Sequence, residues 1–134
     1  MKIIEKLNGS SPIFSFEFFP PKTPKGLTNL FQTISLLEPL QAGYVSVTYG
    51  AAGSTRQLTL DLVTKIRQET AIDTMAHFTC VGSTRQGLKT QLDQMARANV
   101  HNVLALRGDP PQGESEFKPA EDGLAYASEL ISFI

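Results

Sequence analysis

The chain has 134 residues, 41% hydrophobic and 19% charged, with 12 basic residues against 13 acidic ones for a formal net charge of −1. This is the size and make-up of one ordinary globular domain; it excludes disordered, collagenous and coiled-coil classes, and the lack of any Lys/Arg block leaves nucleic acid without an electrostatic footprint. A single cysteine, Cys80, rules out an intrachain disulfide and a zinc site built from cysteines alone.

In chain order, the stretch MKIIEKLNGSSP is a lead-in over residues 1–12 that lacks the long apolar core of a signal peptide. The first strand is predicted over 13–19 (IFSFEFF) and stops at Pro20-Pro21, because proline removes ladder donors and holds its predecessor extended. A helix is expected over 26–41, capped by Thr28 or an earlier threonine, with Leu27, Leu30, Phe31, Ile34 and Leu37 on one face and Pro39 loosening its last turn. The second strand is 44–49 (YVSVTY). A glycine-bracketed turn, GAAGSTR, leads to a helix over 54–69. The third strand is 73–80 (DTMAHFTC), followed by a helix over 85–99. The fourth is 101–107 (HNVLALR), broken by Gly108-Asp109-Pro110-Pro111; a polar loop then leads to a last helix starting near Pro119-Ala120. No run approaches the roughly 18–20 apolar residues that span a bilayer, so no membrane partner and a cytoplasmic location are expected.

Glu17, Thr48, His77 and Arg107 stand 31, 29 and 30 residues apart, the length of a strand plus crossover helix. Alternation puts Phe14, Phe16 and Phe18, then Val45, Val47 and Tyr49, then Ala76, Phe78 and Cys80, then Leu104 and Leu106 on one apolar face that suits a helix layer. The other face carries Ser15, Glu17, Ser46, Thr48, His77, Thr79 and Arg107. A parallel sheet covered on both sides reads apolar on both faces; a polar second face instead suits the interior rim of a (β/α)8 TIM barrel. The expected class is therefore α/β, with the chain supplying about the first four βα units over 13–134. Four strands leave the inward face and two edges uncovered, so the chain is expected to be a fragment, truncated at its C-terminus.

Glu17 sits mid-strand among phenylalanines. A carboxylate there pairs with a cation such as Arg107, or its proton affinity rises towards what a general acid needs. Asp109 sits on a stiff rim, placed either to accept from a ligand or to cap its own turn. His77 projects inward, available to a cofactor or satisfied within the core. No second histidine or cysteine stands near it in a ligand spacing, so no metal site is expected. The Thr48–Gly53 turn is neither a GxGxxG fingerprint nor a Walker loop.

FSFEFFPPK (14–22), VSVTYGAAGSTR (45–56), AHFTCVG (76–82) and NVLALRGDPP (102–111) together resemble the short bacterial type of methylenetetrahydrofolate reductase, in family order and spacing. The resemblance implies an FAD-dependent TIM-barrel oxidoreductase of about twice this length, a homo-oligomer. It passes hydride from NAD(P)H through the flavin, in ping-pong fashion, to 5,10-methylenetetrahydrofolate, making 5-methyltetrahydrofolate. It also implies roles for residues: Glu17 as general acid for opening the folate's five-membered ring to an iminium ion, and Asp109 beside flavin and pterin, stabilising that cation. Thr48, Tyr49, Ala51, His77, Arg107, Gly108, Asp109, Tyr126 and Ala127 match cofactor-contacting positions. The later strands of such a barrel are absent, so the isolated chain is expected to be inactive. The rival readings are a non-flavin, pterin-dependent TIM-barrel methyltransferase and a non-catalytic α/β fragment that only associates with a partner.

Overall fold

The computed structural model describes residues 2–50, 56–110 and 113–134. A short helix α1 (Ile3–Leu7) precedes β1 (Ser15–Phe18). Then come α2 (Pro24–Leu37) with a 3-10 turn at Glu38–Leu40, β2 (Tyr44–Val47), α3 (Arg56–Glu69), β3 (Thr74–Thr79), α4 (Arg85–Arg97), β4 (Val103–Leu106) and α5 (Ala127–Phe133). All pairings are parallel and the spatial order is β1-β2-β3-β4. An order that never reverses, with crossovers of one hand, puts the helices that follow the strands on the same side. The result is a singly wound α/β unit, consistent with the first βα units of a (β/α)8 barrel rather than with a doubly wound sheet.

Local chemistry explains the helix ends. Thr23, ahead of the expected Thr28, caps α2: its hydroxyl accepts from Gly26 N–H at 3.1 Å, and Pro24 occupies the first turn, where its missing N–H costs nothing. Thr84 does the same for α4 through Gly87 N–H at 3.1 Å. Pro39 tightens the end of α2 into the 3-10 turn, which Gln41 closes at φ 51°. Asn99 closes α4 at φ 56°, a left-handed position that asparagine tolerates.

The core lies between the sheet and its helices. Val45, Val47, Ala76 and Phe78 are buried against Leu62, Val63 and Ile66 of α3, Leu88 and Met95 of α4, and Ile34 of α2. Each large apolar side chain fully buried there contributes about 1.5–3 kcal/mol. The opposite face carries no helix, and the pairings Glu17↔Ser46, Ser46↔Met75 and His77↔Leu104 run across it.

Two expectations need correction. Leu104 and Leu106 face the open side, 36% and 37% exposed, while Val103 and Ala105 pack on the core. Register decides this: Ala105 pairs with Phe78, and Leu104 with His77. Arg107 therefore continues the helix-side series rather than the Glu17 face. The last helix starts at Ala127, not near Pro119, because a turn closed by Gly123 N–H to the Ala120 carbonyl intervenes and Glu129 accepts from the N–H groups of Ala125 and Tyr126 at 2.7 and 3.2 Å. The lead-in over residues 1–12 carries α1, which lies against the N-terminal ends of the strands. Ile3 is buried and its N–H donates to Asn102 Oδ1 at 2.8 Å, while Lys6 pairs with Asp73 at 2.9 Å. Among the described residues no helix is long and apolar enough to cross a membrane.

Candidate functional site

On the open face, three neighbouring strands bring polar side chains to one point. Glu17 of β1 stands directly across from Ser46 of β2, whose hydroxyl donates to Glu17 Oε2 at 3.4 Å. His77 of β3 brings Nε2 to 3.3 Å from the same oxygen. The approach is close but not aligned as a hydrogen bond, since Nε2 has no hydrogen-bond partner. Alternation sends the neighbouring phenylalanines to the helix side, so the Glu17 side chain is 52% exposed rather than enclosed by them, and its neighbour is the His77 imidazole rather than Arg107. Burial pushes the His77 pKa below its ordinary 6.5, with the Glu17 charge opposing that shift, so the imidazole beside the carboxylate is neutral near pH 7.

Two residues along β3, Thr79 also faces this side, pairing with Leu106, and its Oγ1 is buried with no hydrogen-bond partner. Unmet polar atoms cost about 1–3 kcal/mol each when buried. Among the described residues, two such atoms, His77 Nε2 and Thr79 Oγ1, lie on the side away from the crossover helices. The alternation pattern placed Ser46 and Thr79 on this face without marking either as a site residue; only register, which stacks Ser46 against Glu17, distinguishes them.

The other candidates lie at the C-terminal ends of the strands, where parallel α/β proteins bind ligands. Thr48 follows β2 and is half-buried, its N–H donating to the Phe18 carbonyl at 2.9 Å and its carbonyl accepting from Thr59 Oγ1 at 2.8 Å. Tyr49 turns into the helix layer: its hydroxyl donates to Gln91 Oε1 at 2.8 Å and its ring meets Phe78 edge-on at 6.0 Å. Its side chain is thus committed to packing, leaving its backbone at the rim. Ala51 lies outside the described residues.

Gly108 holds φ 89°, and a Cβ there would fall 2.6 Å from Val81 Cγ1, so only glycine lets the chain lie this close over the end of β3. Next to it, the Arg107 guanidinium sits 5.0 Å above the Phe117 ring. Arg107, Pro110, Phe117 and Tyr126 line an open groove of about 660 Å³, and the half-buried Ala127 begins α5 beside it. The fold therefore brings Arg107, Gly108 and Tyr126 into one region. Asp109 is exposed at the same rim. However, β1 and β4 are opposite edges of the sheet, so Glu17 and Asp109 stand three strand spacings apart, on the order of 14 Å along the sheet, with no contact between them.

These features fit a flavin dinucleotide. The groove offers a cation for a diphosphate, a glycine that admits close backbone approach, and the exposed Tyr126 ring for stacking.

The family model for methylenetetrahydrofolate reductase matches residues 2–134. The chain is 37% identical over 138 residues to methylenetetrahydrofolate reductase (NADH) 1 of Arabidopsis thaliana, covering 100% of this chain and 23% of that protein. It is 35% identical over 120 residues to 5,10-methylenetetrahydrofolate reductase of Escherichia coli, covering 90% of this chain and 38% of that protein, and the Salmonella typhimurium protein gives the same values. The chain thus spans 23–38% of the length of these relatives.

Proposed function

The chain belongs to the methylenetetrahydrofolate reductase family, and from that premise we propose that it supplies the acid-bearing part of an FAD-dependent site reducing 5,10-methylenetetrahydrofolate to 5-methyltetrahydrofolate with NAD(P)H. The single observation that carries this reading is the placement of Glu17 on the open face, beside a neutral imidazole and a serine donor. The names of the plant relatives, which specify NADH, support that donor. The family reading brings with it a cytoplasmic homo-oligomer.

Glu17, half exposed on the concave side, reaches a ligand without unfolding anything. As general acid it protonates the ring nitrogen whose bond to the methylene carbon breaks, and the ring opens to an iminium ion. Its conjugate base then faces a cation, and Asp109 adds a second carboxylate from the opposite edge once a substrate spans the rim. Arg107, Gly108, Tyr126 and Ala127 would hold FAD along the groove, with His77 and Thr79 beneath its ring system and the Thr48–Tyr49 backbone at the rim; Ala51 is a further cofactor contact by family resemblance alone. When bound, FAD supplies the hydride chemistry; the protein supplies position and charge.

The test uses the two half-reactions of FAD-loaded protein. Glu17→Gln is expected to slow the folate-dependent step by about 10²-fold or more, the range of a positioned general acid, while reduction of the flavin by nicotinamide persists. Equal loss in both steps removes the acid assignment.

A further inference from the structure

We propose that Ser46 is a positioning residue for Glu17: it holds one carboxylate oxygen so that the other is presented to the open face. This rests on the reading of Glu17 as proton donor given above. Two side chains from successive strands converge on Oε2, the Ser46 hydroxyl donating at 3.4 Å and His77 Nε2 lying at 3.3 Å. Among the described residues, Oε1 has neither a hydrogen bond nor an ion pair. The anchors are fixed and the carboxylate is not: Ser46 and His77 are 6% and 8% exposed, against 52% for the Glu17 side chain.

A half-exposed glutamate samples several rotamers unless something directional holds it. Register supplies that hold, because Ser46 is the cross-strand partner of Glu17. His77 adds a neighbour without an aligned bond, since its Nε2 is unpartnered by hydrogen bonding. Ser46 is therefore the one directional contact to this carboxylate among the described residues. A hydroxyl proton directed at Oε2 competes with a carboxyl proton there, so the acid form carries its proton on Oε1, the oxygen facing ligand space.

Two measurements test this. In the isotope-labelled chain, three-bond couplings across the Glu17 side chain report one dominant rotamer for the wild type and for Ser46→Thr, which keeps the hydroxyl, and averaged values for Ser46→Ala. In FAD-loaded protein, the folate-dependent half-reaction falls about tenfold in Ser46→Ala, the low end for a hydrogen bond to a charged group, and returns to within about twofold in Ser46→Thr. Unchanged couplings in Ser46→Ala overturn the proposal, as does an unchanged rate where Glu17→Gln is impaired. A Glu17→Gln protein with an intact folate step instead sinks the acid reading, and the couplings then decide the positioning role by themselves.

Discussion

Glu17 and His77 belong to strands that are not neighbours, yet Oε2 and Nε2 meet at 3.3 Å across Ser46 of the strand between them. Strands two apart lie about 9–10 Å from each other, so the two long side chains lean towards each other over the strand between them.

That pair has a consequence for pH. Burial lowers the His77 pKa and the Glu17 charge only partly offsets it. A histidine with a depressed native pKa binds fewer protons folded than unfolded. Its contribution to stability is therefore complete above the unfolded value of about 6.5 and is lost as pH falls below it, down through the native value. Glu17→Gln removes the opposing charge, so His77 titrates at still lower pH. NMR titration of the His77 ring checks this; an upward move in Glu17→Gln contradicts the geometry.

Gly108 is expected to be intolerant of any side chain. An alanine there pays for φ 89° and also drives its Cβ to 2.6 Å from Val81 Cγ1. Strain at a left-handed position and overpacking of a buried contact together cost about 2–4 kcal/mol. Urea unfolding of Gly108→Ala measures that loss. Adding Val81→Ala removes only the 2.6 Å approach to Cγ1, leaving Val81 Cβ at 2.9 Å, Thr79 Cβ at 3.1 Å and the dihedral cost, so a double-mutant cycle recovers part of the loss and shows the two substitutions to be non-additive.

How much of this was readable beforehand varies by element, for physical reasons. The four strand–helix units were visible because strand plus crossover has a fixed length, and the polar face of β1 to β3 because serine, glutamate and histidine alternate with Phe, Val and Ala. β4 was misread because Val-Leu-Ala-Leu is apolar on both faces; alternation gives a period without a direction, and only pairing with Phe78 and His77 supplies one. Pro119-Ala120 resembled a helix start, but the Glu129 carboxylate caps the backbone later, at Ala125 and Tyr126. The convergence on Oε2 was invisible because it depends on strand register and on contacts 29 and 60 residues apart in the chain.

The N-terminal helix offers a third expectation. Asn102 uses both ends of its amide, accepting from Ile3 N–H at 2.8 Å and donating to the Thr74 carbonyl at 3.2 Å, while 8% exposed. Asn102→Ala strands buried backbone groups and should cost about 2–3 kcal/mol. Asn102→Asp keeps the acceptor for Ile3 but loses the donor. Hydrogen exchange at the Ile3 amide separates the two effects: protection falls sharply in the alanine variant and less in the aspartate variant.

Tyr49 sets the alkaline limit. Burial between β2 and α4 raises its pKa from 10.0 to about 12, with the Arg56 charge and a hydrogen bond to Arg56 pulling the other way. The direction of linkage is opposite to that of His77. A tyrosine whose native pKa is raised holds its proton longer folded than unfolded, so its contribution is complete below pH 10 and is lost as pH rises from 10 to about 12. The loss is at most about 2 kcal/mol, allowing for partial solvent screening. Tyr49→Phe keeps the edge-on contact with Phe78 but leaves Gln91 Oε1 without its donor. It should therefore cost about 1 kcal/mol at neutral pH and flatten the decline above pH 10. Thermal unfolding of both proteins at pH 8 and pH 11 makes the comparison: the wild type loses more of its stability between the two pH values than the phenylalanine variant. Equal losses would mean that the phenol is already wet, and the packing of Tyr49 beneath α4 would then be wrong.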